Sequence, residues 1–338
     1  CPSYFLSFPF QPLLFRPSTL NRDCLLPIYI ISSLLGLVGN GLVVWVSSFR
    51  MRQTVNTVWF LSLALADLLY SLLLPFFAIK AAMGGLWAFG DFLCKVINSS
   101  LFLSMFASVF QLTLISVDRC LLVVRPIWAQ RLRTPLLAWV AAGMAWLLAV
   151  AFSAPYFFYR ELFCKSDHKG ERCFCINNYG EKEVQVARQQ TLIVMRFVVG
   201  FLAPVLIITA CHMVVALRTR HRNRRPNRMT KVVASVVLSF FLCWLPYHVF
   251  NFLHGWDSRM AVKVGASLAF SLTCLACFLN PLLYTFLGRR FQEGLRGSGR
   301  ARWLEAALAE DSLGSAKRSR CNRSLGSTTS SDLRMGQL

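Results

Sequence analysis

Asp118-Arg119-Cys120, with Pro126-Ile127-Trp128-Ala129-Gln130 shortly after it, stands where the long apolar run of residues 92–117 gives way to basic side chains. The pattern places an aspartate beside an arginine at the edge of a membrane. Ionised groups are costly there and are usually retained for a specific role. The stretch therefore predicts a functional charge pair at one end of a membrane-spanning helix.

The composition of the whole chain indicates a membrane protein. Of its 338 residues, 56% are hydrophobic and only 15% are charged, which is too apolar for a soluble protein of this length. A helix of about 20 apolar residues crosses the hydrocarbon core of a bilayer. Such runs recur seven times, at residues 25–49, 58–81, 92–124, 136–156, 192–217, 232–253 and 264–287. We predict an all-α membrane protein built as a bundle of seven transmembrane helices.

The distribution of charge predicts how the bundle is oriented. Lysine and arginine outnumber aspartate and glutamate by 36 to 15, and the excess lies in the loops after the first, third, fifth and seventh spans. Loops rich in lysine and arginine stay on the cytoplasmic side. We therefore predict a multi-pass protein of the plasma membrane with an extracellular N-terminus. Topology and anionic membrane lipid account for the net charge of +21, so nucleic acid is not a predicted partner.

Three segments lie outside the predicted spans. Residues 1–24 form an extracellular tail that is unusually apolar. Residues 288–302 are typical of a short amphipathic helix on the inner leaflet. Residues 303–338 are polar, with several serines and threonines near their end, and are predicted to be disordered and phosphorylatable. A solvated tail without regulated sites is the alternative.

Two ionisable groups inside the spans need partners. Asp67, in the second span, requires water, an ion or a polar neighbour. The simplest alternative for Asp67 is a protonated acid that is hydrogen-bonded to Asn40. Arg196, in the fifth span, requires an anion, and a carboxylate is its best partner. The alternatives for Arg196 are a pair with Glu183 or a side chain that extends to the membrane surface.

Prolines and cysteines mark further features. Pro246, two residues after Trp244, removes a helix hydrogen bond and predicts a kink in the sixth span. Pro281 predicts a second break in the seventh span. Cys94 opens the third span, and any of the three cysteines in the loop after the fourth span could pair with it: Cys164, Cys173 and Cys175.

One landmark in every span resembles the rhodopsin-like (class A) G protein-coupled receptors, and the resemblance covers roughly residues 25–295. The landmarks are Asn40, Asp67, Cys94, Asp118-Arg119, Trp146, Pro204, Trp244 with Pro246, and Asn280-Pro281 with Tyr284. The stretches Arg125-Pro126-Ile127-Trp128-Ala129-Gln130 and Trp87-Ala88-Phe89-Gly90 look like the chemoattractant branch. That branch contains formyl peptide, chemerin, anaphylatoxin and prostaglandin D2 chemoattractant receptors and their orphan relatives.

The resemblance implies roles for particular residues. It implies a Cys94–Cys175 disulfide, with Cys173 as the competing partner and Cys164–Cys173 as a candidate for an extra bridge. The implied ligand pocket comprises Leu101, Phe102, Met105, Arg160, Arg196, Trp244 and Tyr247. The implied switch for G protein coupling comprises Asp118, Arg119, His212, Phe240, Trp244, Pro246, Asn280, Pro281 and Tyr284. An ion pocket is implied at Asp67, Ser108 and Asn280, and no cofactor or catalytic metal is implied.

The resemblance also implies partners. These are a heterotrimeric G protein of the inhibitory type, arrestin and receptor kinases acting on the serine- and threonine-rich tail, and membrane lipid. In this branch a basic residue in the fifth span often meets an acidic group of the ligand. We therefore expect an extracellular peptide or acidic lipid whose carboxylate pairs with Arg196.

Some positions depart from the family pattern. His212 stands where a tyrosine is usual on the inner part of the fifth span, which could weaken contacts between Arg119 and Tyr284 or make them sensitive to pH. Ala276 and Cys277 replace an asparagine and a serine near Asn280. Because two oxygen ligands are lost, we expect only weak modulation by sodium.

Other functional classes fit the sequence less well. A light-driven pump would carry a retinal-type lysine deep in its last span, whereas Lys263 lies at the start of the seventh. An intramembrane enzyme needs catalytic residues that assemble, and His212 and His248 lie at opposite ends of their spans. The remaining rival is a non-signalling or poorly coupled scavenger receptor of the same fold.

Overall fold

The computed structural model describes residues 19–167, 170–221, 228–254 and 260–287. The helices are α1 (Thr19–Trp45, extended by a π-helical segment Val46–Arg50), α2 (Val55–Ala82), α3 (Gly90–Val124), α4 (Pro126–Leu132), α5 (Pro135–Phe158), α6 (Lys182–Phe197, followed by a π-helical segment Val198–Leu202), α7 (Ala203–His221), α8 (Arg228–His254) and α9 (Met260–Leu287). Two strands, β1 (Arg160–Asp167) and β2 (Gly170–Asn177), lie between α5 and α6.

Within the described chain, six helical segments are long and apolar enough to cross a membrane, and α9 contains a shorter apolar segment, Leu268–Leu282. The predicted bundle of seven transmembrane helices is thus confirmed. Many large apolar side chains face outward, such as Leu34, Val38 and Leu147, which are 60%, 71% and 64% exposed. A soluble surface would not carry so many exposed apolar side chains, whereas lipid solvates them.

Side-chain caps fix the starts of two helices. The Thr54 hydroxyl accepts a hydrogen bond from the Thr57 amide at 3.3 Å and begins α2. The Thr134 hydroxyl accepts one from the Leu137 amide at 3.2 Å and begins α5, whose first residue is Pro135. Both arrangements satisfy backbone donors that have no partner within the helix. As a result, both helices begin slightly before the predicted apolar spans.

The fifth span begins earlier than predicted. Hydropathy marks only residues 192–217, whereas α6, its π-helical segment and α7 run from Lys182 to His221 without interruption. Residues 182–191 are mostly polar and are therefore invisible to a hydropathy criterion. Their backbone groups nevertheless bond within the helix, which continues past the apolar region.

The β-hairpin departs from the all-α prediction. β1 and β2 pair antiparallel with Cys164 opposite Cys173. The Trp87 amide donates to the Cys173 carbonyl at 2.9 Å, and the Leu162 amide donates to the Asp91 carboxylate at 3.0 Å. These bonds hold the hairpin over the start of α3. We call this the hairpin end of the bundle and the opposite end the Asp118 end.

Helix α3 forms the centre of the bundle. It packs against α2, α5 and α7, and Met105, Phe106 and Leu112 on it are almost completely buried. The helix extends from the hairpin end to Asp118. Packed side chains along α3 therefore connect the hairpin end of the bundle to the Asp118 end.

Several predicted segments lie outside the described residues. These are residues 1–18 of the predicted tail, the predicted amphipathic helix at 288–302 and the predicted tail at 303–338. Helix α1 begins at Thr19, within the tail predicted for residues 1–24. The backbone of Tyr284 belongs to α9, but its side chain lies outside the described part.

Candidate functional site

A buried arginine lies among aromatic rings near the hairpin end. Arg196, on α6, is only 8% exposed, and its Nη1 donates to the Tyr247 hydroxyl at 3.1 Å. Its guanidinium carbon lies 5.2 Å from the ring centroid of Phe102, 5.5 Å from that of Tyr247 and 5.9 Å from that of Tyr156. Cation–π contacts stabilise the charge in part but do not neutralise it.

Neither alternative for Arg196 is found. Among the described residues no carboxylate lies within 4.0 Å of it, and Glu183 is exposed at the start of α6. The low exposure of Arg196 shows that its side chain does not extend to the surface. An arginine buried in this way retains its requirement for an anion.

Five other predicted pocket residues are buried, and two of them, Phe102 and Tyr247, contact this arginine. Phe102 stacks on Tyr156 with centroids 3.7 Å apart, and Leu101 and Met105 are buried on the same helix. The ring centroids of Trp244 and Tyr247 lie 5.5 Å apart, and Trp244 stacks on Phe240 with ring centroids 5.6 Å apart. The structure thus brings Arg196 and Trp244 into one cluster through Tyr247.

A second cation lies near the first. Arg160 begins β1, and its Nε is buried without a hydrogen-bond partner among the described atoms. Burial lowers the pKa of Arg160, and the neighbouring charge of Arg196 lowers it further. Burial raises the pKa of Tyr179 beside it. Two arginine charges therefore lie near each other in this region, and each disfavours the charged form of the other.

Sequence reasoning missed two members of this cluster. Tyr156 was seen only as the end of the fourth span, yet its hydroxyl donates to the Leu192 carbonyl at 3.3 Å. His248 is buried, its centroid lies 5.0 Å from that of Phe201, and its Nε2 has no partner among the described atoms. Helical periodicity could have indicated His248, since it follows Trp244 by about one turn.

At the other end of the bundle, the Asp118 carboxylate accepts hydrogen bonds from two arginines. Arg119 Nη2 donates to Asp118 at 2.7 Å, and Arg133 Nε donates to the same carboxylate at 2.9 Å. Both guanidinium groups also donate to the side-chain oxygen of Asn56. Arg119 is buried, so its charge depends on this network. Sequence reasoning predicted the Asp118–Arg119 pair but missed Arg133 and Asn56.

His212 lies apart from this network. Its Nε2 is 3.5 Å from the Ser116 hydroxyl, and no hydrogen bond between His212 and Arg119 is present within the described residues. Pro246 lies inside α8 and Pro281 inside α9, where each removes a helical donor.

Asp67 is buried between α3 and α9. Its carboxylate accepts hydrogen bonds from Ser108 at 3.2 Å and from Asn280 at 2.7 Å. Asn40 instead donates to the Gly36 carbonyl at 2.9 Å and the Cys277 carbonyl at 2.7 Å. The alternative that paired Asp67 with Asn40 is therefore wrong. The adjoining cavity measures about 10 Å³, which is room for about one water molecule.

One disulfide links the hairpin to α3, and a second links its two strands. Cys94 pairs with Cys175 and Cys164 pairs with Cys173. Both pairings implied by the resemblance are confirmed, and Cys173 is not the partner of Cys94. The single cluster of potential metal ligands in the described chain is Cys164, Glu171 and Cys173, whose two cysteines are oxidised in the second disulfide.

Comparison with known proteins identifies relatives over most of the chain. Residues 39–284 match the family described as 7 transmembrane receptor (rhodopsin family). The C5a anaphylatoxin chemotactic receptor 1 of Cavia porcellus is 39% identical over 85% of this chain and 83% of its own length. The prostaglandin D2 receptor 2 of Mus musculus is 42% identical over 83% and 76%, respectively. The human chemerin-like receptor 1 is 37% identical over 81% and 77%.

Proposed function

The chain belongs to the rhodopsin family of seven-transmembrane receptors, and on this premise we propose that it is a G protein-coupled receptor for a chemoattractant peptide or an acidic lipid. The proposed signal passes through an inhibitory-type G protein and serves chemotaxis or inflammation. The single observation that carries the ligand class is Arg196, which is buried beside aromatic rings and has no carboxylate within 4.0 Å among the described residues. Similarity to receptors named for C5a, chemerin and prostaglandin D2 supports the same range of ligands.

In the proposed orientation the hairpin end is extracellular and the Asp118 end is cytoplasmic. Arg125, Arg131 and Arg133 adjoin the Asp118 end, and the positive-inside rule supports this placement. The protein then resides in the plasma membrane with its N-terminus outside. The cluster at Arg196 faces the extracellular ligand.

The ligand's carboxylate binds Arg196 in the proposed mechanism, with Arg160 as a second contact. A bidentate carboxylate satisfies both the charge and the planar donors of a guanidinium. Tyr247 is hydrogen-bonded to Arg196 and touches Trp244, so the ligand acts on α8 close to its proline. Pro246 lies inside α8 and, in the proposed mechanism, is the place where that helix bends.

In this mechanism the Asp118 carboxylate stabilises the resting state. While its carboxylate binds Arg119 and Arg133, Arg119 is not available to a G protein. An agonist shifts the equilibrium only by its differential affinity for the two states. Reciprocity then requires the bound G protein to raise the affinity for agonist. Arrestin and receptor kinases are the proposed partners of the C-terminal tail.

The test is a cyclic AMP assay in cells that express the full chain. Formyl peptides, chemerin-like peptides and acidic eicosanoids are applied with and without pertussis toxin. The proposal expects at least one carboxylate-bearing ligand to lower cyclic AMP in a toxin-sensitive manner, and Arg196→Gln to reduce the potency of that ligand about tenfold or more at equal surface expression. Recruitment of arrestin without any fall in cyclic AMP would instead favour the scavenger alternative.

A further inference from the structure

A groove of about 190 Å³ lies on the outside of the bundle at the Asp118 end, between α2, α3, α4 and α5. Small side chains on its walls, Ala129 of α4 and Ala138 of α5, leave the space open. Trp128 and Leu137 also line it and are 53% and 49% exposed. The groove therefore opens toward the surrounding lipid rather than toward the centre of the bundle. We call it the lipid-facing groove.

The lipid-facing groove is charged at one end only. Its charged or hydroxyl-bearing lining residues are Asp118, Arg133 and Thr134, and Thr134 is the N-cap of α5. Ala141 lies seven residues further along α5, about 10 Å deeper in the bilayer, and Leu114 lies about 6 Å deeper than Asp118 along α3. An occupant that fits this lining carries a polar head at the membrane edge and an apolar chain below it.

The charged end favours an anionic head. The single carboxylate of Asp118 pairs with two arginines, Arg119 and Arg133, which leaves one positive charge in excess. Arg133 lines the groove, and its side chain is 24% exposed. Within the described residues, Arg133 donates to Asp118 and Asn56 through Nε and Nη2. Its Nη1 therefore remains for an anion, and phosphate oxygens suit a guanidinium.

A second donor on the groove wall lacks an acceptor. Trp59 lines the groove about one turn deeper than Val55, where α2 begins, and its Nε1 is buried without a hydrogen-bond partner among the described atoms. The indole of Trp146, by contrast, donates to the Ser62 hydroxyl at 3.1 Å. Buried donors without an acceptor are rare in folded proteins. An occupant with an acceptor about one turn below its charged head would satisfy Trp59.

We propose that the lipid-facing groove binds an anionic glycerophospholipid of the phosphatidylserine type. The lipid phosphate accepts a hydrogen bond from Arg133 Nη1, an ester carbonyl below it accepts one from Trp59 Nε1, and part of one acyl chain fills the apolar end. A sterol or a fatty acid carries a single polar group and would leave one of these donors unsatisfied. The site does not depend on the proposed function, whereas its assignment to the inner leaflet rests on the proposed orientation.

The charge of the head is tested by native mass spectrometry on the purified, delipidated full chain in detergent. Dioleoyl phosphatidylserine and dioleoyl phosphatidylcholine are titrated separately, because they share their chains and esters. We expect the first bound phosphatidylserine to have a Kd at least about fivefold lower, and Arg133→Gln to remove this preference. Arg131→Gln should keep it, since Arg131 is exposed nearby on α4 and does not line the groove. Equal losses in both variants would show unspecific attraction to basic residues and overturn the site.

The ester contact is tested on the wild-type chain with an ether-linked phosphatidylserine, which has the same head and chains but no carbonyl. We expect this lipid to bind about fivefold more weakly than the ester lipid. Trp59→Phe should bind the two lipids equally, whereas Trp146→Phe, which removes an indole outside the groove lining, should keep the difference. Equal binding of both lipids to the wild type would overturn the proposal. Displacement of phosphatidylserine by an equal amount of cholesterol would assign the groove to a sterol and overturn it as well.

Discussion

Asn56→Ala is expected to raise the basal activity of the receptor. The side-chain oxygen of Asn56 accepts hydrogen bonds from both Arg119 and Arg133, so it stabilises the closed arrangement around Asp118. A hydrogen bond to a charged group contributes about 1.5–3 kcal/mol. Asn56 is half-buried, and solvent reduces the contribution of its hydrogen bonds to about 1 kcal/mol. The resting-to-active ratio should therefore fall about fivefold.

The assay for this prediction is agonist-free nucleotide exchange at matched surface expression. Gln53→Ala is the control, because Gln53 also donates one amide hydrogen bond, to the Ser47 carbonyl at 3.2 Å, but does not touch Arg119. Exchange should rise with Asn56→Ala and stay level with Gln53→Ala. Unchanged exchange in Asn56→Ala, or an equal rise in both variants, would refute the reasoning.

Three further predictions concern the disulfides, sodium and His212. Cys175→Ser should lower the melting temperature of the purified receptor more than Cys173→Ser. The Cys94–Cys175 disulfide closes a loop of 81 residues and the Cys164–Cys173 disulfide one of 9, so loop-closure entropy makes the first more stabilising by about 2 kcal/mol. Equal losses in the two variants would contradict this. Replacing sodium with choline should change agonist affinity by less than about fivefold. The Asp67 carboxylate already accepts two hydrogen bonds, and the cavity beside it is small. A larger change in affinity would show that a sodium site persists. His212→Tyr should raise agonist-stimulated exchange, because a tyrosine is longer than a histidine and its hydroxyl can extend from beside Ser116 toward Arg119, about one turn further along α3. His212→Phe should not raise it, and a similar rise in both variants would assign the effect to ring size.

The sequence predicted the features that membrane physics makes costly. Hydropathy located the spans because about 20 apolar residues are needed to cross a bilayer. The cost of ions in lipid singled out Asp67, Arg119 and Arg196, and all three are buried in the structure. These predictions needed no knowledge of which helices touch.

Features that depend on contacts between helices could not be predicted. Asn56 and Arg133 are far apart in the chain, and nothing local indicates that Arg133 shares Asp118 with Arg119 or that Asn56 accepts from both arginines. Asp67 had two amide candidates on different helices, Asn40 and Asn280, and only packing decides between them. Sequence pattern likewise gave no sign that the cysteine-rich loop forms a hairpin.

The claim that an acidic ligand binds Arg196 is tested most directly with matched ligands. A peptide agonist from the cyclic AMP screen is compared with its C-terminal amide on the wild type and on Arg196→Gln. A charge-assisted bidentate contact at a buried site predicts that the acid is about tenfold or more as potent as the amide on the wild type and about equal to it on Arg196→Gln. If the acid keeps its full advantage on Arg196→Gln, Arg196 does not bind the carboxylate and the central claim is wrong.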